Sequence, residues 1–171
     1  MIVHFAKINR HIKIIIAPHE INNDRLKEVK KIFGDAVFYS EFVKGSENTH
    51  VIITDNIGML SALYSLADVA YIGGGFNKSG IHNILEAAVF ASPVIFGPEY
   101  EKFKEACDLV TAGGGFSINT ALELESLLNN LLNDPALSEK VGNINRKYIY
   151  EKRGATDIIV KYLQANRLLI N

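Results

Sequence analysis

Short apolar, β-branched runs that alternate with helical patterns are what most limits the folds open to this chain. Residues 12–17 (IKIIIA) are stopped by Pro18 and predict a buried strand, and residues 36–39, 50–54 (HVIIT), 69–72, 93–96 and 116–118 predict further strands. Between them, Asn22 or Asn23 is placed to cap a helix with Leu26, Val29, Ile32 and Phe33 at helical spacing up to Gly34. Residues 45–48 read as a polar loop. Leu60, Leu63, Tyr64 and Ala67 mark a second helix, residues 82–91 a third and residues 100–112 a fourth. The last third is helical. Thr120 and Glu123 have capping-box spacing before an apolar face of Ala121, Leu124, Leu127, Leu128 and Leu131. Asp134 caps a helix with Pro135 at its first position, and residues 155–169 predict a final helix carrying Ile158, Ile159, Tyr162 and Leu163 inward. Strands alternating with amphipathic helices mean βαβ units, hence an α/β, Rossmann-like parallel sheet flanked by helices.

Composition narrows the function classes. The chain has 171 residues, 48% hydrophobic and 22% charged, which suits one domain with a sizeable core and excludes a disordered tail. Eighteen Lys and Arg against nineteen Asp and Glu, with no basic run, argue against a nucleic-acid partner. The single cysteine, Cys107, reads as a small core residue, and five scattered histidines lack metal-ligand spacing, so no metal is expected. No run is long enough to span a membrane and no signal peptide is visible, which predicts a soluble domain of a reducing, cytoplasmic compartment.

In sheets of this kind ligands bind beyond the carboxyl ends of the strands. That singles out Pro18-His19-Glu20, residues 55–58, residues 73–86 and Gly97-Pro98. Among them GGGFNKSGIHNILE, residues 73–86, is the most unusual. Glycines such as Gly74, Gly75 and Gly80 let backbone approach a ligand, and free N–H groups at the following helix start favour a phosphate. Asn83 and Glu86, three residues apart, can point at one ligand, and a carboxylate suits the paired hydroxyls of a ribose. The plainer alternative is that Glu86 only complements the helix dipole and the glycines only turn the chain. Neither G-x-G-x-x-G nor G-x-x-x-x-G-K-[ST] is present, which disfavours a dinucleotide oxidoreductase and a P-loop NTPase. His19 is placed to donate to a phosphate or carboxylate, or else is a satisfied turn histidine. Residues 55–58 either expose amides to a base or form a turn that caps the next helix, a role that Asp55 and Asn56 both favour, and taken alone the cap is the simpler reading. Residues 102–105 read as a solvated helix face with Phe103 inward.

The block ADVAYIGGGFNKSGIHNILEAAVFASPVIFGP, residues 67–98, preceded by IIIAPHEI and ITDNIGML, resembles the carboxyl-terminal domain of 3-deoxy-D-manno-octulosonic acid (Kdo) transferases, from about Ile12 to the end. The resemblance implies the carboxyl-terminal half of a GT-B fold and a single donor-binding domain over residues 1–171. It implies transfer of Kdo from CMP-Kdo to a lipid A precursor, a step of lipopolysaccharide biosynthesis at the cytoplasmic face of the inner membrane. The donor is a substrate, and no cofactor is implied. Pro18 and His19 match the family's pair beside the CMP phosphate, Asn56, Ile57 and Gly58 the turn near the cytosine, and Asn83 and Glu86 the phosphate and ribose contacts. Gly74, Gly75, Gly80 and His82 complete the G-G-x(5)-G-x-H-N-x-L-E block. The family's amino-terminal domain, with its membrane anchor, acceptor surface and catalytic glutamate, has no counterpart in these residues, so no catalytic residue is expected here and the fragment alone should be inactive. The first strand of the carboxyl-terminal domain is also unmatched. Residues 1–10 read as the tail of the helix that follows it, with Ile2, Phe5 and Ile8 at three-residue spacing, or else as strand at residues 2–5. The alternatives are a UDP-sugar enzyme of the same fold, epimerase or transferase, and a non-catalytic nucleotide-binding module.

Overall fold

The apolar runs become strands at their centres and loosen at their ends. In the computed structural model, which describes residues 2–42 and 48–168, the strands are β1 (Ile14–Ile16), β2 (Val37–Phe38), β3 (Val51–Ile53), β4 (Ala70–Tyr71), β5 (Val94–Phe96) and β6 (Gly115–Ser117). The helices are α1 (Ile2–Ile8), α2 (Asn23–Phe33), α3 (Leu60–Tyr64), α4 (Leu85–Ala88), α5 (Lys104–Ala112), α6 (Ala121–Asn133), α7 (Pro135–Lys152) and α8 (Ala155–Ala165), with a 3-10 turn at Tyr39–Glu41. Of the expected loop at residues 45–48, Gly45, Ser46 and Glu47 lie outside the described residues, as do Met1 and Leu169. All strand ladders are parallel, as βαβ connections require. Among the described residues no helix is long and apolar enough to cross a membrane.

The strands do not form one sheet. β1, β3 and β2 make a three-stranded sheet in that order, and β4, β5 and β6 make a second. Helix α1 joins them. Phe5 packs with Ile95, Ile118 and Leu124 of the second sheet's core, while its neighbour Ala6 packs with Val29, Val51 and Ile53 of the first. The buried His50, just before β3, donates from Nε2 to the Ala6 carbonyl at 3.1 Å. The strand alternative for residues 2–5 is therefore set aside, although Ile8 is exposed and only Phe5 of the expected stripe is fully buried.

β5 is the centre of its sheet, and Val94, Ile95 and Phe96 are inaccessible to solvent, as expected of a parallel strand covered on both faces. Caps follow their sequence signals. Asn22 accepts from the Arg25 N–H at 2.9 Å and Asp134 from the Leu137 N–H at 3.0 Å. Thr120 accepts from the Glu123 N–H at 3.2 Å, but the Glu123 carboxylate reaches the Asn119 N–H at 2.8 Å, one residue before the reciprocal capping-box donor. That backbone bond holds Glu123 below the usual carboxylate range.

Several expectations need correction. Ile15 of β1 is 43% exposed rather than buried, because β1 is an edge strand here. β2 ends at Phe38, where the chain turns into the 3-10 segment. α3 closes before Ala67, α4 covers four residues rather than residues 82–91, and α5 starts at Lys104 after a turn at Tyr100. Ile32 and Ala121 face solvent despite their helical spacing. Cys107 is half-buried, with its thiol 3.4 Å from the Glu101 carbonyl, not a core residue. In α8, Ile158 and Tyr162 are 71% and 61% exposed, Ile159 is exposed too, and only Leu163 is half-buried. The apolar period of α8 is real, but none of its residues is buried against the described chain.

α7 fastens the second sheet. Asn145 is fully buried and donates to the carbonyls of Ser92 and Gly114 at 2.8 and 3.0 Å. Gly142, one turn earlier, lies so close to the Ala91 carbonyl that a Cβ would stand 2.0 Å from its oxygen. Asn145→Ala should strand two buried carbonyls and destabilise the fold by about 2–4 kcal/mol, read as a lower urea midpoint; an unchanged midpoint would show that the two bonds are dispensable. Tyr148, on the same helix, donates to Asp108 at 3.0 Å. Burial first, and then that bond, push its phenol up to about 12, above the usual value of about 10. A phenol raised on folding stabilises fully below the unfolded value and loses that stability as pH climbs through the folded one. The urea midpoint should therefore fall between about pH 10 and pH 12 more steeply in the natural chain than in Tyr148→Phe, and parallel curves would contradict this.

Candidate functional site

The parallel strands deliver their carboxyl ends to one side. β1 leads to Pro18 and His19, and β4 leads through Ile72 to the glycine loop. The rings of His19 and His82 meet with centroids 4.6 Å apart, tilted by 39°. His82 is held there by its N–H, which donates to the Gly73 carbonyl at 3.2 Å. Two imidazoles from different sheets thus share one exposed spot. Each can donate to an anionic oxygen.

The loop between Gly73 and His82 folds on itself. The Gly75 N–H donates to the Gly80 carbonyl at 2.7 Å and the Gly80 N–H to Asn77 at 3.1 Å, with Gly74 and Ile81 forming an isolated antiparallel bridge. Gly74 and Gly75 have φ of 90° and 79°, and Gly80 has φ of 82°. Chain packing alone demands glycine here. A Cβ on Gly75 would stand 2.8 Å from Gly97, and one on Gly97 2.6 Å from Gly75. A Cβ on Gly80 would meet the Phe103 ring at 2.5 Å. The reading that these glycines free backbone for a ligand is therefore corrected at Gly75, whose N–H is already bonded. Among the described residues the Gly74 N–H has no hydrogen-bond partner.

Asn83 precedes α4 instead of lying in it. Its side-chain oxygen accepts from the Leu85 N–H at 3.0 Å and its amide donates to Glu86 Oε1 at 2.9 Å. Asn83 and Glu86 do converge, as their spacing predicts, but through a turn rather than a helical face. The expected row of free helix-start amides is shortened, because Asn83 occupies one and α4 is a single turn. Glu86 is exposed, and Tyr64 of α3 lies near enough for its charge, after burial, to raise the phenol.

The turn after β3 behaves differently from its simplest reading. Asp55 accepts from the Ser40 N–H at 3.1 Å and from the Ser40 hydroxyl, so it ties the end of β3 to the end of β2 and caps no helix. Asn56, Ile57 and Gly58 then project, with Ile57 89% exposed and open space around Gly58 at φ of 94°. Among the described residues no hydrogen bond joins them to His82, Asn83 or Glu86. The site therefore has two assembled parts, His19 with His82 and Asn83 with Glu86, and one projecting turn.

Sequence reasoning missed Ser40, Tyr64 and the anchoring of the loop by Lys102, whose ammonium donates to the Lys78 carbonyl at 2.7 Å. Only Phe103, read as inward, hinted that this segment faces the loop. Among the described residues no group of three or more His, Cys, Asp or Glu side chains could hold a metal ion.

No protein-family profile matches the chain. It is 38% identical over 127 residues to the 3-deoxy-D-manno-octulosonic acid transferase of Haemophilus influenzae, an overlap of 71% of this chain and 30% of that protein. It is 32% identical over 147 residues to the same-named enzyme of Aquifex aeolicus, covering 83% of this chain and 40% of that one. The chain thus spans a third or so of the length of these relatives. Its fold superposes on the C-terminal CMP-Kdo binding domain of WaaA from Acinetobacter baumannii with a TM-score of 0.75 and 24% identity, covering 89% of this chain and 80% of that one. By sequence the chain matches part of the 3-deoxy-D-manno-octulosonic acid transferases, and its fold is that of the C-terminal domain of WaaA.

Proposed function

We propose that this chain is the donor-binding domain of an enzyme that moves Kdo from CMP-Kdo to a lipid A precursor in lipopolysaccharide biosynthesis. The observation that supports this best is that beyond the strand ends His19 meets His82 and Asn83 bonds Glu86, one pair able to hold an anion and the other a diol. His19 and His82 would face the phosphate of CMP, with the Gly74 N–H as a further donor. Glu86, turning from Asn83, would accept the ribose hydroxyls, and the turn of Asn56, Ile57 and Gly58 would fold over the cytosine.

In the transfer, an acceptor hydroxyl attacks the anomeric carbon of Kdo while the bond from that carbon to the CMP phosphate oxygen breaks. The bonding pair leaves on the phosphate oxygen, and the acceptor proton goes to a base outside this chain. The work of this domain is electrostatic. Histidine donors already in place offset the charge that grows on the departing phosphate, and groups fixed before reaction need no reorganisation during it. No metal or resident cofactor enters this reading. The acceptor, the catalytic base and attachment to the cytoplasmic face of the inner membrane belong to polypeptide beyond these residues, so the chain alone should bind CMP weakly and transfer nothing.

Calorimetric titration with CMP and UMP tests the assignment. CMP should bind more tightly than UMP, and equal or absent binding of both would remove the cytidine. Glu86→Ala should weaken CMP by about ten- to a hundredfold, the loss of a charged hydrogen-bond acceptor worth about 1.5–3 kcal/mol, while leaving inorganic phosphate unaffected. An unchanged CMP affinity would reduce Glu86 to a partner of Asn83.

A further inference from the structure

The tip of the glycine loop borders a charged hollow that the nucleotide contacts do not use. A cavity of about 410 Å³ is lined by Lys78, Pro98, Glu99, Glu101 and Lys102, between the loop after β4 and the segment after β5. Both segments leave the carboxyl ends of parallel strands, the side on which ligands bind in such sheets. Lys78, Glu99, Glu101 and Lys102 are all exposed.

Three contacts give the hollow its shape. The Lys102 ammonium donates to the Lys78 carbonyl at 2.7 Å, and the Glu99 N–H donates to the Gly75 carbonyl at 2.9 Å. Gly80 lies so close to the same segment that a Cβ there would stand 2.7 Å from Lys102 Cε. The loop is therefore fastened before, at and after its tip, all through backbone. The side chains are left over. Among the described residues the Lys78 ammonium and the carboxylates of Glu99 and Glu101 have no hydrogen bond, ion pair or ring contact. Charges of both signs around one cavity suit a ligand that carries an acid together with hydroxyl groups, since an ammonium donates to a carboxylate and a carboxylate accepts from a hydroxyl. The hollow is also close to the phosphate donors. The Gly74 N–H is one residue from Gly75, whose carbonyl holds Glu99. A residue of chain covers at most about 3.6 Å, so the rim of the cavity lies within the span of a sugar joined to that phosphate.

We propose that this cavity receives the sugar acid of the donor, with the Lys78 ammonium bound to its carboxylate and Glu99 and Glu101 accepting from its hydroxyls. The inference rests on the donor assignment above and adds to it the residues that select the transferred group. Lys102 is a positioning residue, because it acts on the ligand only through the Lys78 carbonyl that it holds. The division of labour separates two choices. Glu86 and the turn of Asn56, Ile57 and Gly58 read the nucleoside, while the loop tip reads the sugar. A neutral sugar leaves the Lys78 ammonium without a partner, so this lysine favours an acid over an uncharged sugar on the same nucleotide.

Calorimetric titration with CMP and with CMP-Kdo, on the natural chain and on Lys78→Met, Lys78→Arg and Glu101→Gln, tests this. Lys78 is exposed and its side chain holds nothing in place, so its variants keep the fold. Lys78→Met should weaken CMP-Kdo by roughly three- to fivefold, the upper range for a solvent-exposed ion pair, and leave CMP unchanged. Lys78→Arg keeps the charge and should recover most of that loss. Glu101→Gln should weaken CMP-Kdo less than Lys78→Met and likewise spare CMP. Equal weakening of both ligands in Lys78→Met would overturn the proposal, because the lysine would then serve the nucleotide. An unchanged affinity for CMP-Kdo would overturn it too. The two readings fail in different ways. If CMP does not bind the natural chain, the nucleotide site falls and this subsite with it. If CMP binds and Lys78→Met loses nothing with CMP-Kdo, the sugar subsite falls alone.

Discussion

The coherence of the molecule rests on two adjacent residues of α1. A parallel sheet has no hairpins, so its strands are held in register by helices laid across them. Phe5 sinks into the core of the second sheet and Ala6 into that of the first, while His50 fastens the Ala6 carbonyl to the entrance of β3. With no ladder between β1 and β4 among the described residues, that short helix and the contact of His19 with His82 carry much of the mechanical link between the halves. The candidate site is built across this link. One of its histidines comes from each side, so the geometry of the pair depends on how α1 seats both cores.

Packing and ligand binding make overlapping demands on the glycine-rich loop. Glycine at positions 74, 75 and 80 can be explained without any ligand, from the folding of the loop onto Gly97 and Phe103. Asn83 likewise has a local task in accepting from the Leu85 N–H. What local structure leaves unexplained is narrower: an exposed carboxylate at Glu86, an unbonded amide at Gly74 and two imidazoles in contact. The functional reading draws its strength from these.

Much of this was legible in the sequence. The strand cores, the caps at Asn22, Thr120 and Asp134 and the parallel architecture follow from β-branched runs and local hydrogen-bond chemistry, which short stretches of chain determine. The pairing of Asn83 with Glu86 was readable from spacing, though its geometry was not, because α4 is too short to impose a helical face. The split of the sheet was not readable. A run such as IKIIIA signals a strand, but only its neighbours in space decide whether Ile15 is covered. α8 failed for the same reason, since periodicity tells which residues share a face and not whether anything lies opposite. Asp55 was misread because its partner, Ser40, lies fifteen residues earlier on another strand.

The contact between Gly75 and Gly97 bears on how this chain can change over time. Two backbones meet where neither position has room for a side chain, and each excludes it in the other. Replacing one glycine cannot be rescued by shrinking its counterpart, which is already the smallest residue. Mutational drift is closed at both positions together. Variation in the loop is thereby confined to its outward tip, at Phe76, Asn77, Lys78 and Ser79, where new side chains could alter what the crevice accepts without disturbing the sheet beneath.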